Sequence, residues 1–160
     1  MKKEINTLRK ALLDSGKVIA TAESCTGGLM GELITAGSGA SKVYLGGVVV
    51  YDNKAKVKLL GVKNTTLERY GAVSKNTATE MSKGILKKLG SDLSVSITGI
   101  AGPTGGTKEK PVGTVYISVS TKDKTTVKKN IFKGSRSEVK KQAVKTAATM
   151  SIKALGGHKR

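Results

Sequence analysis

Short segments rich in Val, Ile, Ser and Thr alternate along the chain with segments whose apolar residues recur every three to four positions. The first kind predicts β-strands and the second predicts amphipathic helices. The predicted strands cover residues 17–22, 44–52, 93–99, 113–121 and 125–133. The predicted helices cover residues 3–15, 29–36, 53–61, 64–71, 75–90 and 136–154.

The order of these segments limits the fold class. Strands separated by helices build open sheets that are covered on both faces. The last two strands are joined by the short segment 122–124, which predicts an antiparallel hairpin. We therefore expect an α/β protein, a three-layer α/β/α sandwich whose mixed sheet has about five to six strands.

The chain is expected to form one domain over residues 1–160, since no linker or repeat divides it and its two prolines lie close together. Its hydrophobic content of 38% is enough for a proper core. No apolar run approaches the length of a membrane span and no leader pattern opens the chain. We expect a soluble, cytoplasmic protein that does not bind a membrane.

Two scarce residue types exclude several chemistries. Cys25 is the only cysteine and His158, third from the C-terminus, is the only histidine. An internal disulfide, a cysteine-rich zinc site and a catalytic histidine are therefore not expected, and we predict no metal and no cofactor. Hydrolytic chemistry would have to activate its nucleophile without imidazole, which points to lysine.

The formal charge of +18 is large for 160 residues. A basic surface of this kind is typical of nucleic-acid binding. The lysines are nevertheless spread along every segment, and no aromatic residues are interleaved with them to stack on bases. A lysine-rich solvated surface is the favoured interpretation, and a nucleic-acid partner stays possible.

Two glycine-rich loops follow predicted strands, where open α/β sheets form their sites. The segment TAESCTGG (21–28) offers free backbone N–H groups and a helix N-terminus to an anion, with Ser24, Thr26 and Gly27 as candidate binding residues. A plain helix cap explains it equally well. The loop from Thr98 and Gly99 to 113 is too long for an ordinary connection, which favours a substrate-binding role over the alternative of a flexible surface loop.

A third candidate set surrounds the strand 44–52. Lysine can act as the general base towards serine when burial keeps it neutral, and a tyrosine hydroxyl can relay the proton. Ser41, Tyr51 and Lys56 could form such a set. From spacing alone, a turn serine, a strand-end aromatic and an exposed lysine explain them better. Arg136 opens the last helix, either as a phosphate ligand or as a surface cation.

Five segments in order resemble the CinA C-terminal domain family, a competence-damage-protein group that includes bacterial nicotinamide mononucleotide deamidases. The resemblance runs from about residue 5 to 155. The segments are TAESCTGG, GGVVVYDNKAK, GVKNTTLERYGAVS, SITGIAGPTGG and KPVGTVYIS. It implies an amidohydrolase that converts nicotinamide mononucleotide to nicotinic acid mononucleotide and ammonia without a metal. It also implies the stand-alone form of the domain and a homo-oligomer.

The resemblance also implies site residues. The family uses a serine–lysine pair whose serine precedes the GGVVVY strand, which is Ser41 here, with Ser38 as a competitor and Ala40 where relatives have another serine. Lys56 matches the base, ahead of Lys54. The remaining matches are Tyr51, Ser24 and Thr98 around the amide, and Arg136 near the phosphate. The alternative is a non-catalytic nucleotide- or nucleic-acid-binding module of the same family.

Overall fold

The computed structural model describes residues 1–156, so His158 lies outside the described part. The helices are α1 (Lys2–Ser15), α2 (Leu29–Thr35), α3 (Asn53–Leu60), α4 (Asn64–Tyr70), α5 (Lys75–Leu89) and α6 (Arg136–Ala154). The strands are β1 (Ile19–Glu23), β2 (Tyr44–Val49), β3 (Leu93–Gly99), β4 (Thr114–Thr121) and β5 (Thr125–Ile131). A single 3₁₀ turn (Ala40–Lys42) precedes β2.

The five strands form one mixed sheet in the order β2-β1-β3-β4-β5. Strand β1 pairs in parallel with both β2 and β3, whereas β4 runs antiparallel to β3 and to β5. The carboxyl ends of β1, β2, β3 and β5 therefore meet at one edge of the sheet. The predicted α/β class, the mixed sheet and the hairpin are confirmed.

Helices cover both faces of the sheet, as the alternating pattern predicted. On one face α1, α2 and α6 pack over a core that includes Ile5, Leu8 and Val144. On the other face α3 and α5 pack over a smaller core that includes Leu60 and Met81. Within residues 1–156, no helix is both long and apolar enough to cross a membrane.

Hydroxyl groups fix α5 on the sheet. Ser94 and Ser96 of β3 donate to the carbonyl oxygens of Ser82 and Ala78 at 2.7 and 2.6 Å. Thr98, the next residue on this face of β3, donates to the carbonyl of Ala72 at 2.8 Å. These buried hydrogen bonds set the depth of α5 and of the loop that precedes it, because a shift of either would leave buried polar atoms unpaired.

Candidate active site

A cleft of about 330 Å³ opens at the edge of the sheet where four strands end. Its walls come from the turn after β1, the start of α3, the loop before α5, the loop after β3 and the start of α6. The lining residues are Ser24, Cys25, Tyr51, Asn53, Lys56, Ala72, Val73, Thr98, Gly99, Ile100, Ala101, Gly102, Thr104, Gly105 and Arg136. Segments that are far apart in sequence thus meet in one place.

Lys56 is the most unusual side chain of the cleft. It lies on α3 and is only 1% exposed. Its Nζ donates to the carbonyl oxygens of Val50 and Tyr51 at 2.9 and 3.1 Å. Burial lowers the pKa of Lys56, and the charge of Asp52 opposes the shift only partly. A buried lysine without a carboxylate partner in contact favours its neutral form, which is the form a general base needs.

Ser24 and Cys25 follow β1 directly and bring one hydroxyl and one thiol to the cleft. The Ser24 backbone N–H donates to Ile97 at 2.9 Å, so β3 holds this residue. Among residues 1–156 the Ser24 hydroxyl has no hydrogen-bond partner. Burial raises the pKa of the Cys25 thiol to about 11, which disfavours the thiolate and makes Cys25 a poor nucleophile at neutral pH.

The turn that follows Ser24 is held by a buried carboxylate that the sequence interpretation did not identify. Glu23, the last residue of β1, accepts a hydrogen bond from Thr26 Oγ1 at 2.6 Å. It also accepts from the backbone N–H groups of Gly28, Met30 and Gly31 at 3.1, 3.1 and 2.9 Å. The N-terminus of α2 therefore already holds an anion, supplied by the protein itself.

Of the two interpretations of the TAESCTGG turn, this arrangement favours a helix cap over a site for an anionic ligand. The hydroxyl of Thr26 is completely buried and is committed to Glu23. Gly27 is exposed and adopts a φ of +62°, which suits glycine in a tight turn. Neither residue lines the cleft. Only Ser24 and Cys25 of this segment do.

The end of β3 and the loop that follows it form the opposite wall. Thr98 and Gly99 line the cleft. The Thr98 hydroxyl is committed as a donor to Ala72, so it can offer a ligand only its acceptor lone pairs. The main effect of Thr98 is to hold the loop with Ala72 and Val73 against the cleft.

Arg136 joins three walls at the mouth of the cleft. Its Nη1 donates to the carbonyl of Gly102 and its Nη2 donates to the Tyr51 hydroxyl, both at 2.8 Å. Arg136 is also the first residue of α6, whose N-terminus is capped by Ser135. The Glu138 carboxylate already occupies this N-terminus, where it accepts from the Ser135 N–H and hydroxyl at 2.7 Å. The guanidinium of Arg136 is therefore the group at the mouth that suits a phosphate.

The structure does not bring Ser41 to this cleft, in contrast to the interpretation drawn from the resemblance. Ser41 is exposed in the 3₁₀ turn before the amino end of β2. Tyr51 and Lys56 follow the carboxyl end of the same strand. A strand of six residues spans about 20 Å, which separates Ser41 from Lys56 within the chain. Ser38 lies on the same far side of β2.

The cleft also contains residues that the sequence did not single out. Asn53 begins α3 in the short connection after β2, and this position near a strand end could have identified it. Ala72 and Val73 carry no chemical signal and enter the cleft only because α5 places them there. Among residues 1–156 no cluster of His, Cys, Asp and Glu is arranged to hold a metal ion.

These features define an α/β protein with a polar cleft at the carboxyl edge of a mixed sheet, built around a buried lysine. The CinA C-terminal domain model matches residues 2–155. The chain therefore belongs to the CinA C-terminal domain family, as the sequence resemblance indicated.

Similar proteins agree with this assignment. The chain is 50% identical over 151 residues to a CinA-like protein of Kosmotoga olearia, covering 94% of the chain and 36% of the relative. It is 49% identical over 140 residues to a putative competence-damage inducible protein of Clostridioides difficile, covering 88% of the chain and 34% of the relative. The chain thus spans about a third of the length of these curated relatives.

Solved structures match over nearly their whole length. A crystal structure of a competence-damaged protein (CinA) superfamily protein from Klebsiella pneumoniae has a TM-score of 0.93 at 34% identity, covering 97% of both chains. The crystal structure of a competence/damage inducible protein from Agrobacterium tumefaciens has a TM-score of 0.92 at 36% identity, covering 97% of this chain and 94% of that one.

Proposed function

We propose that the protein hydrolyses the carboxamide of nicotinamide mononucleotide to nicotinic acid mononucleotide and ammonia. The observation that carries this proposal is the meeting of Ser24 and buried Lys56 in one cleft whose mouth carries Arg136. A serine with a lowered-pKa lysine suits attack on an amide, and an arginine suits the phosphate of the same substrate.

In this proposal Ser24 takes the nucleophilic role that the resemblance had assigned to Ser41. No hydrogen bond within residues 1–156 engages the Ser24 hydroxyl in the cleft, whereas Ser41 lies at the far end of β2. Cys25 is the neighbouring alternative, but the raised pKa of its thiol keeps it protonated. The serine–lysine pair therefore becomes Ser24 and Lys56.

The chemistry runs in two halves. Ser24 Oγ bonds to the amide carbon while neutral Lys56 accepts the hydroxyl proton. The carbon–nitrogen bond of the tetrahedral intermediate then breaks, and protonated Lys56 returns the proton to the departing ammonia. A water molecule attacks the acyl-enzyme, Lys56 accepts its proton, and the ester bond to Ser24 breaks as Ser24 Oγ regains a proton from Lys56.

The negative oxygen of the intermediate needs donors that are already in place. The backbone N–H of Cys25 directly follows the nucleophile, and within the described residues it has no backbone acceptor. We assign it to this role by its position. The substrate phosphate is assigned to Arg136, whose guanidinium lies at the mouth of the cleft and can bind a phosphate in a bidentate way.

The test is an assay of purified protein with nicotinamide mononucleotide and a chelator, following both ammonia and nicotinic acid mononucleotide. We expect turnover by the wild type, a loss of at least about a thousandfold in Ser24→Ala, and near-normal turnover in Ser41→Ala. Ser41→Ala is the matched control because it makes the same chemical change outside the cleft. An inactive wild type would exclude the activity, and an inactive Ser41→Ala with an active Ser24→Ala would exclude the assigned nucleophile.

A further inference from the structure

The buried carboxylate of Glu23 lies directly before Ser24 and points away from the cleft into the turn that follows. Glu23 is 2% exposed, and all four of its hydrogen-bond partners are donors. Among residues 1–156 it forms no ion pair, so backbone N–H groups and one hydroxyl balance its charge. A carboxylate held by four donors is far more firmly fixed than an ordinary helix cap.

We propose that Glu23 is a positioning residue that sets the orientation of the Ser24 hydroxyl and the Cys25 N–H towards the cleft. This inference rests on the proposed function of Ser24. Glu23 never touches the substrate in this proposal. It acts as an internal anion at the N-terminus of α2, around which residues 24–28 fold.

The backbone contacts show why the carboxylate controls Ser24. Ser24 is fixed on its N-terminal side by the hydrogen bond from its N–H to Ile97 at 2.9 Å. On its C-terminal side its carbonyl accepts from Gly27 at 3.1 Å, within the turn that Glu23 holds through Thr26 and Gly28. Loss of the carboxylate would loosen the turn on the C-terminal side of Ser24 and leave the hydrogen bond to Ile97 in place. Ser24 would stay in the cleft but would point in several directions.

A second cleft makes this idea testable. A space of about 260 Å³ lies behind the turn and is lined by Glu23 together with Thr21, Gly31, Tyr44 and others. Glu23 is part of the wall of this space, so removal of its side chain would open the position of the carboxylate to it. A small carboxylate such as formate could enter there and replace a deleted Glu23 side chain.

The experiment measures kcat and KM of Glu23→Ala for nicotinamide mononucleotide, with and without formate. We expect kcat to fall by about a hundredfold, as for a reacting group displaced by about 1 Å, with little change in KM. Formate should restore at least about a tenth of the wild-type kcat. A role confined to folding would lower stability without giving this rescue.

The matched control is Glu80→Ala. Glu80 accepts from the Lys63 N–H at 2.8 Å and the Thr66 hydroxyl at 2.6 Å, and so holds the start of α4 as Glu23 holds α2. Its loss should lower stability and leave kcat near wild type in both conditions. Labelling of Ser24 by a sulfonyl fluoride, measured by mass spectrometry, gives a second readout that does not depend on the substrate.

These readouts separate the two proposals. A wild type that labels at Ser24 but does not turn over would exclude the substrate, and the labelling rates would still test Glu23. A folded Glu23→Ala variant with wild-type rates, or a reduced rate that formate does not raise, would overturn the positioning role. A wild type without a reactive Ser24 would also overturn it. If Glu23→Ala does not fold, wild-type kcat in Glu23→Gln overturns the proposal.

Discussion

At the residue scale, the environment of Lys56 is the feature with the clearest physical consequence. Two backbone carbonyls accept from its Nζ, and no carboxylate of residues 1–156 forms an ion pair with it. Dipoles alone compensate the burial of an ammonium group only in part, and the pKa is therefore lowered. The same burial that makes Lys56 a suitable base makes its protonated form unfavourable for the folded protein.

Lys56 should therefore make stability depend on pH. The unfolded chain binds the Lys56 proton up to about pH 10.4, while the folded chain releases it at lower pH. The free energy of unfolding should rise with pH between the two pKa values, with a slope of at most about 1.4 kcal/mol per pH unit. Below the folded pKa the penalty is complete and this slope disappears. Lys56→Met should lose this slope in urea unfolding measured from neutral pH to about pH 10.

Lys54→Met is the control, because Lys54 is an exposed lysine on the same helix and its removal should leave the wild-type slope unchanged. Parallel pH profiles for the wild type and Lys56→Met would show that the folded protein tolerates the charged lysine. Lys56 would then be unable to serve as a neutral base near pH 7.

At the element scale, the contact between α3 and α5 positions Lys56. Gly84 of α5 packs against the last residue of α3, Leu60. A Cβ atom at Gly84 would lie 2.1 Å from the Leu60 carbonyl oxygen, which is far inside contact distance. The absence of a side chain at Gly84 therefore sets how closely α3, and with it Lys56, approaches the sheet.

Gly84→Ala should destabilise the protein by about 1–3 kcal/mol, the usual cost of overpacking. The sign of the change in unfolding free energy distinguishes close packing from open space, because an unhindered glycine-to-alanine change inside a helix stabilises the protein by about 1 kcal/mol. Denaturant unfolding measures it, with the exposed neighbour Lys83→Ala as a control expected within about 0.5 kcal/mol of wild type. A stabilised Gly84→Ala would mean that α3 and α5 pack less closely than described.

At the scale of the whole molecule, the main feature is the excess of basic over acidic residues. The chain has 29 Lys and Arg residues against 11 Asp and Glu, which gives a formal net charge of 29 − 11 = +18. β5 places Lys128 and Lys129 on an edge strand, where charge prevents pairing with other strands. Such a surface keeps the protein soluble but repels itself in the folded state.

Added salt should therefore raise the melting temperature. The screening length falls from about 30 Å at 0.01 M to about 10 Å at 0.1 M, so repulsion between distant lysines is removed over this range. A variant with Lys54→Glu, Lys87→Glu and Lys141→Glu, all exposed, has a net charge of 18 − 6 = +12 and should respond less. Differential scanning fluorimetry at several NaCl concentrations measures both. An equal response of the two proteins would argue against self-repulsion.

The sequence by itself determined the elements, because their signals are local. Apolar residues at helical spacing predicted α6 over 136–154, and a short segment rich in Val, Ile, Ser and Thr predicted β3 over 93–99. Strand order and hairpin signals then restricted the architecture to a three-layer sandwich. The family also followed from sequence, since its motifs are continuous segments.

Only the tertiary structure decided which residues share a site. Ser24, Lys56 and Arg136 are far apart in sequence and meet because three connections end at one edge of the sheet. Ser41 is closer to Lys56 in sequence, yet the length of β2 keeps the two apart. The number of residues between two positions does not show that an intervening strand places them at opposite edges of the sheet. The sequence also did not show that the Glu23 carboxylate occupies the N-terminus of α2. The four hydrogen bonds to this carboxylate form only when the turn after β1 has folded.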